Sequence, residues 1–553
     1  MVPFIGRLSM TEWILLFLVY SERICSFFIN NLIPSPLIRL LQALADTIMN
    51  LISLLIPRSS IGKTRVESEK DKLVDLLKHS ASIKETIHYL NPEITIEEHV
   101  VVTEDKYLLT LHRIPPDPTR ECKGVVYLHH GLLMCSDIWI CHHIDPMTKN
   151  LPLLLHSLKN YDVWMGNNRG NKYSTYNLNY TINDKKFWDF SLDEFALFDI
   201  PNSIDYILKT TKKSKISSII AFSQGSAQTF GALSLHPELN EKVENFIALA
   251  PAMTPPGLYN KIVDTLMKTS PQLIYLFFGK RILLSSANRI WKKTLPTRLF
   301  NMGIEMSTKF LFNWNNLNIK QARTIAFNNL YSPTSVKCVV HWFQILNAQK
   351  FQMFQEISFL GSTSGGSQQT NLFHPLCFPT LTNVKIPVLL IYGGSDSLVD
   401  IEVMKKNLPK ELCFQVEIPK HEHLDIIWGD HCHTKVWPHV LKFMQFWNED
   451  FKKSYENELL VEEDELDRQA PAKHLLSHEP HQQNREKDQR HRRHASNPLM
   501  HQPVRRNSDY FLPFDHETED VNKYFAREDV TPTLVSTTEY VDLRQHLSDR
   551  TLD

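Results

Sequence analysis

The stretch that most limits how this chain folds runs over residues 216–233. An apolar, β-branched run, 216–222, stops at Ser223-Gln224-Gly225, and 226–233 then reads as a helix. A buried parallel strand, a tight turn bearing serine and a helix are the setting of a nucleophile elbow. Such a turn is strained, so the residues two before and two after the serine must be small. Gly225 meets this at one end; at the other stands Ala221, which still allows helix and strand to approach. The elbow aims the Ser223 hydroxyl out of the sheet and sets backbone N–H groups at a helix N-terminus, where negative charge is stabilised.

An elbow needs an oxyanion loop before it, then an acid and a histidine after it. Upstream, 95–103 and 106–114 read as strands joined by a turn at Glu104-Asp105, and 124–130 reads as a buried strand ending at His130-Gly131-Leu132-Leu133. The N–H of Leu132 is a candidate oxyanion donor, with the N–H of Gln224 as its partner. Strand 161–165 follows, and a helix is expected from Phe187 to about Lys209 with Pro201 in its first turns. Residues 243–250 form another strand. Strands alternating with helices imply a mostly parallel sheet covered on both faces, an α/β architecture. The sheet returns at 387–392 and is followed by Asp396, with Asp400 further from the strand end. A short strand at 413–418 leads to His421 and His423, which pattern alone does not separate. Chain order serine, acid, histidine is the hydrolase order. His129, His130, His142 and His143 have no metal-ligand spacing, and no metal or cofactor is expected.

Between 254 and 375 the strand–helix rhythm stops. This insertion carries Ile274, Phe300, Phe310, Phe312 and Trp314 with interleaved Lys280, Arg281, Lys292 and Lys293. It reads as a helical cap: either the core of a second lobe, or a lid that meets lipid, or both. The loop 361–371 has the composition of a flexible hinge.

The ends of the chain differ from its middle. Segments 13–29 and 37–56 are apolar, broken by Glu22-Arg23 and by Pro34-Ser35-Pro36. In the second, Arg39, Gln42, Asp46, Asn50 and Ser53 fall on one helical face. A cleaved signal peptide lacks a small-residue cleavage site here. A bilayer span is interrupted by charge, whereas an in-plane or hairpin anchor tolerates the polar stripe. The stretch 58–80 is charged and linker-like. Beyond about 455 the composition turns acidic and then rich in His, Gln and Arg, which predicts disorder. There Ser496 and Ser508 each follow paired arginines, a pattern that suits basic-directed kinases. The expected organisation is an anchor at 1–57, a linker and lead-in at 58–93, sheet core at 94–253 and 376–454 around a cap at 254–375, and a tail at 455–553.

The 553 residues carry a net charge of −1, so nothing points to nucleic acid. Eight cysteines without CxxC spacing fit a reducing compartment.

The stretches His130-Gly131-Leu132-Leu133, Tyr161 through Gly170 (YDVWMGNNRG), Ser223-Gln224-Gly225 and His423 through Gly429 (HLDIIWG) resemble the acid-lipase family of gastric and lysosomal lipases. The branch that the chain is most similar to is that of the fungal lipid-droplet steryl ester hydrolases, whose N-terminal anchor it also shares. The resemblance implies an α/β-hydrolase fold with an inserted cap, Ser223 as nucleophile, Asp396 as acid and His423 rather than His421 as base. It implies cleavage of steryl esters or other neutral lipids at a lipid-droplet monolayer or endoplasmic-reticulum membrane, with the catalytic domain facing the cytosol. Ala221 departs from the animal lipases, which have glycine there. The same triad also suits a triacylglycerol lipase or an acyltransferase, and the fold alone a lipid-droplet scaffold.

Overall fold

The computed structural model describes residues 65–261, 295–356 and 375–447, with scattered positions in 1–64 and 262–294. The expected anchor helices, the glycine-rich loop 361–371 and the tail lie outside the described residues, isolated positions aside. Among the described residues, no helix is long and apolar enough to cross a membrane.

The chain enters through helix α1 (Arg65–His79) and helix α2 (Ile83–Leu90), where a charged linker was expected. The charge misleads because α1 needs only one apolar face. Leu77 on that face is buried, and Asn328 donates to the carbonyl of Lys78 at 2.6 Å. Helix α2 is capped by Ser82, whose hydroxyl accepts from the Glu85 N–H, and it buries Ile83, Thr86 and Ile87.

Among the described residues, nine strands form one sheet: β1 (Glu97–Val102), β2 (Tyr107–Ile114), β3 (Val125–His129), β4 (Asp162–Met165), β5 (Tyr176–Asn177), β6 (Ser218–Phe222), β7 (Phe246–Leu249), β8 (Val388–Gly393) and β9 (Cys413–Ile418). Their order is β1-β2-β4-β3-β6-β7-β8-β9, with β5 on β2. Pairs from β4 to β9 are parallel; β2 is antiparallel to β1, β4 and β5. Every residue of β3, β4, β6 and β7 is buried, as strands covered on both faces require. The edge strand β1 alternates, leaving Val100 and Val102 exposed.

The helix expected from Phe187 starts later and in pieces. A 3-10 turn at Lys186–Trp188 stands apart, and Ser191 opens the helical path with a capping box closed by Glu194. The path widens into a π turn at Phe195–Asp199, where the N–H of Ile200 reaches back five residues to the Phe195 carbonyl, before helix α3 (Ile200–Thr211). Pro201 explains the break: it has no N–H to give a helix interior, and it fits in the first turn of α3. Helix α4 (Gln224–Leu235) follows the elbow and is buried through all but its last residue.

The cap leaves the sheet after β7 and rejoins it at β8, the hydrogen-bonded neighbour of β7. Its described parts include helix α5 (Thr297–Phe312) and helix α6 (Val336–Ala348). Among the described residues, the insertion has a packed core of its own. Ile274, Leu283, Val336, Val340 and Phe343 form one apolar cluster, and Phe300 and Trp314 are buried. Met302, Met306 and Phe310 do face outward from α5. The return to the sheet is followed by helix α7 (Ile401–Asn407).

Candidate active site

Ser223 stands between β6 and α4 with φ 53° and ψ −120°, a conformation that L-residues avoid. Such strain costs about 1–3 kcal/mol and persists only where the surroundings impose it. Here the Ser223 N–H is held by the Leu249 carbonyl at 2.9 Å, and its own carbonyl accepts from the Ser226 N–H at 2.9 Å. The small residues around it have visible reasons. A β-carbon at Gly225 would sit 2.6 Å from the His130 carbonyl oxygen and 2.9 Å from that of His129. Ala221, wholly buried, pairs across the sheet with Ala248 on one side and His129 on the other.

Three of the expected site residues meet. The Ser223 hydroxyl lies 2.8 Å from Nε2 of His423, and Nδ1 of His423 lies 2.7 Å from Oδ2 of Asp396. A carboxylate only accepts, so the ring proton sits on Nδ1 and Nε2 is free to accept from serine. The other Asp396 oxygen accepts from the Leu398 N–H at 2.9 Å. The side chains of His423 and Asp396 are almost wholly out of solvent, 4% and 0% exposed. Chemically, this arrangement can draw a proton from serine oxygen and return it to a leaving group.

The rival residues are placed elsewhere. His421 turns its Nδ1 to the Pro419 carbonyl at 2.9 Å. Asp400 caps α7 by accepting from the Val403 N–H at 3.1 Å. Gly131 packs against the nucleophile, where a β-carbon would lie 3.1 Å from the Ser223 β-carbon, and Leu132 is the next residue after that contact. Gln224 follows Ser223 directly, and its side chain accepts from Trp342 Nε1 at 2.7 Å, tying the elbow to cap helix α6. Ser496 and Ser508 lie outside the described residues.

The two histidines before Gly131 are structural. His129 is fixed by the Tyr127 hydroxyl at 2.8 Å and the Asn168 side chain at 2.7 Å. His130 accepts the Asn168 N–H on Nε2 at 3.1 Å and contacts the Gly131 carbonyl through Nδ1 at 2.8 Å, which braces the turn. Burial pushes His129 down to about 4 and His130 to about 3, so both rings stay neutral at ordinary pH. Among the described residues no group of three or more His, Cys, Asp or Glu is placed to hold a metal ion.

Several supporting residues had no signal in the spacing. Arg169, 1% exposed, is held by Asp199 at 2.7–2.8 Å and by Asp105, which reads in sequence only as a turn residue. Asn167 accepts from the Ser136 N–H at 2.9 Å and donates to the Thr110 carbonyl at 3.0 Å, joining the loop after β3 to β2. Trp428 donates to the Ile138 carbonyl at 2.9 Å and fastens the histidine loop to that same loop. Trp314 of the cap lies flat on the His423 ring, with centroids 5.1 Å apart and planes at 6°.

A family profile described as alpha/beta hydrolase fold matches residues 124–430, and one described as a partial alpha/beta-hydrolase lipase region matches residues 83–143. A probable lipase of Schizosaccharomyces pombe is 40% identical over 457 residues, covering 80% of this chain and 92% of that protein. The human lysosomal acid lipase/cholesteryl ester hydrolase is 33% identical, covering 63% of this chain and 87% of the relative. The human gastric triacylglycerol lipase is 29% identical, covering 65% and 93%.

Proposed function

The chain belongs to the acid-lipase family of α/β-hydrolases and is a carboxylic ester hydrolase; from that premise we propose that it cleaves steryl esters into free sterol and fatty acid through Ser223, His423 and Asp396. The observation that carries the triad is the unbroken pair of hydrogen bonds, 2.8 Å and 2.7 Å, from a serine held at φ 53° to a buried carboxylate.

In this reading Nε2 of His423 takes the hydroxyl proton as Ser223 Oγ adds to the ester carbonyl carbon. Asp396 keeps the other ring proton on Nδ1 and stabilises the imidazolium. The N–H groups of Leu132 and Gln224 hold the tetrahedral oxyanion, each such donor contributing about 3–4 kcal/mol in comparable hydrolases. The intermediate collapses, the bond to the sterol oxygen breaks, and His423 returns its proton to that oxygen. Water, deprotonated by His423, then attacks the acyl-enzyme and releases the fatty acid.

Support for the steryl ester comes from the 33% identity to a protein named as a cholesteryl ester hydrolase. The second reading, a triacylglycerol lipase with the same triad, is supported by the gastric relative. The apolar N-terminal segments support action at a lipid-droplet monolayer or the endoplasmic-reticulum membrane, with the tail serines as sites for a kinase. The test is hydrolysis of emulsified cholesteryl or ergosteryl oleate against triolein, by wild type and Ser223→Ala. Preferred cleavage of the steryl ester with an inactive variant is the expected result. Preference for triolein selects the second reading, and an active Ser223→Ala protein refutes the triad.

A further inference from the structure

The cap returns towards the sheet through a stretch that stacks on the base of the site and is hydrogen-bonded by the residue next to the acid. Helix α5 ends at Asn313, whose left-handed conformation (φ 62°) turns the chain back on itself. Trp314 follows, and its indole stacks on two rings. One face lies on His423, with planes 6° apart and centroids 5.1 Å apart; Phe312 stacks on it at 4.4 Å. The His423 ring also meets Phe222, with centroids 5.2 Å apart and planes at 52°. The indole N–H has no hydrogen-bond partner among the described residues, so the ring is placed by its faces and its backbone.

That backbone is gripped from two sides. Ser397, next to Asp396, donates its hydroxyl to the Phe312 carbonyl at 2.8 Å. Glu422, next to His423, accepts the N–H of Asn315 at 2.9 and 3.0 Å on its two oxygens and the N–H of Asn316 at 2.8 Å. Asp425 adds a bond from the Asn318 side chain at 2.9 Å while accepting the Glu422 N–H at 2.7 Å. One short piece of the cap thus spans the loops that carry Asp396 and His423.

We propose that Trp314 is a positioning residue for His423. The segment 312–316, held by Ser397 and Glu422, presses the indole flat against the imidazole and fixes that ring between Ser223 and Asp396. Flat contact resists ring rotation, and misplacement of a reacting group by about 1 Å can cost a hundred-fold in rate. The indole face also attracts the imidazolium, the charge that develops as the serine proton moves. The inference rests on His423 being the base.

The test uses the full chain and p-nitrophenyl butyrate, a soluble ester that makes no demand on lipid binding. Trp314→Leu keeps water out of the site and removes the aromatic face. We expect kcat to fall about ten-fold or more with KM within about two-fold, and the acidic limb of kcat/KM to move down by roughly half a pH unit or more. Trp314→Phe restores most of kcat. Ser397→Ala and Glu422→Gln loosen the grip without touching the ring and lower kcat in the same sense. If Trp314→Leu folds with wild-type kcat and pH profile, or Phe is as poor as Leu, the proposal is overturned. If Trp314→Leu does not fold, wild-type kcat in both grip variants overturns it. Ser223→Ala and His423→Ala run alongside: their activity sinks the triad itself, whereas inactive triad variants beside a wild-type Trp314→Leu sink only the role of Trp314.

Discussion

Replacing Asp396 by asparagine tests the triad with almost no change in shape. Asp396 accepts on both oxygens, from His423 Nδ1 at 2.7 Å and from the Leu398 N–H at 2.9 Å. An amide has one oxygen for these two donors. If the oxygen stays on Leu398, the NH2 group faces Nδ1, the ring proton moves to Nε2, and His423 no longer accepts from Ser223. If the amide flips, the NH2 group opposes the Leu398 N–H, leaving buried donors unpaired at about 1–3 kcal/mol. That alone withdraws the productive tautomer by roughly five- to hundred-fold. Loss of the charge that steadies the imidazolium adds to it, and the corresponding change in a serine protease costs about 10⁴ in kcat. We expect a fall of about 10³–10⁴ in kcat on p-nitrophenyl butyrate, with the urea unfolding free energy within about 1 kcal/mol of wild type. Asp400→Asn is the paired control: asparagine still caps α7, so activity stays within about two-fold. Asp396→Asn retaining a tenth or more of wild-type kcat, or Asp400→Asn losing as much, refutes the assignment.

Three further outcomes follow from the geometry. Gly225→Ala sets a methyl group against the His129 and His130 carbonyls, so the loop must shift; kcat falls by roughly ten-fold or more while circular dichroism stays native, and unchanged kinetics refute the close approach. Arg169→Met leaves Asp199 buried and unpaired beside Asp105, a loss of about 3–5 kcal/mol in urea unfolding that Asp199→Leu in the same chain partly restores. Asp193, on the core, accepts from the Phe354 N–H at 2.9 Å and lies 3.9 Å from His341 of α6; burial, with the charge of Glu194 adding to it, raises its carboxyl to about 7. The folded protein therefore keeps a proton that the unfolded chain releases near its ordinary value. The resulting stabilisation is complete below about pH 4 and is lost as pH rises through 7. Relative to Asp193→Asn, wild type should lose roughly 2–4 kcal/mol between pH 4 and 7.5, and a difference flat with pH refutes the burial argument.

Much of this architecture was legible because the signals are local. A β-branched run buried on both faces can only be an inner strand, so β6 and its serine stood out, and β9 coincides with its expected span. The choice between His421 and His423 was not local. The two rings sit two residues apart in one turn, and only the path from β9 to Asp425 sends one to Ser223 and the other to Pro419. Helix α1 was missed because the charged residues along 65–79, with Asp71, Lys72 and Asp75 exposed, read in sequence like a solvated linker. Arg169 with Asp105 and Asp199, and Trp314 on His423, bring together residues 30 to about 110 positions apart, and no spacing rule encodes such pairs.

The place where the cap is inserted has a consequence for the order in which the chain is made. Strand β7 is central, and its outer edge bonds to β8, whose first residue is synthesised roughly 140 residues after Leu249. At ordinary elongation rates that interval is on the order of ten seconds. Throughout it, Phe246, Ile247, Ala248 and Leu249 present an open, apolar strand edge of the kind that recruits other chains. An open edge of this kind favours association with other chains, so the interval in which the cap emerges is the one in which the growing chain is most open to aggregation.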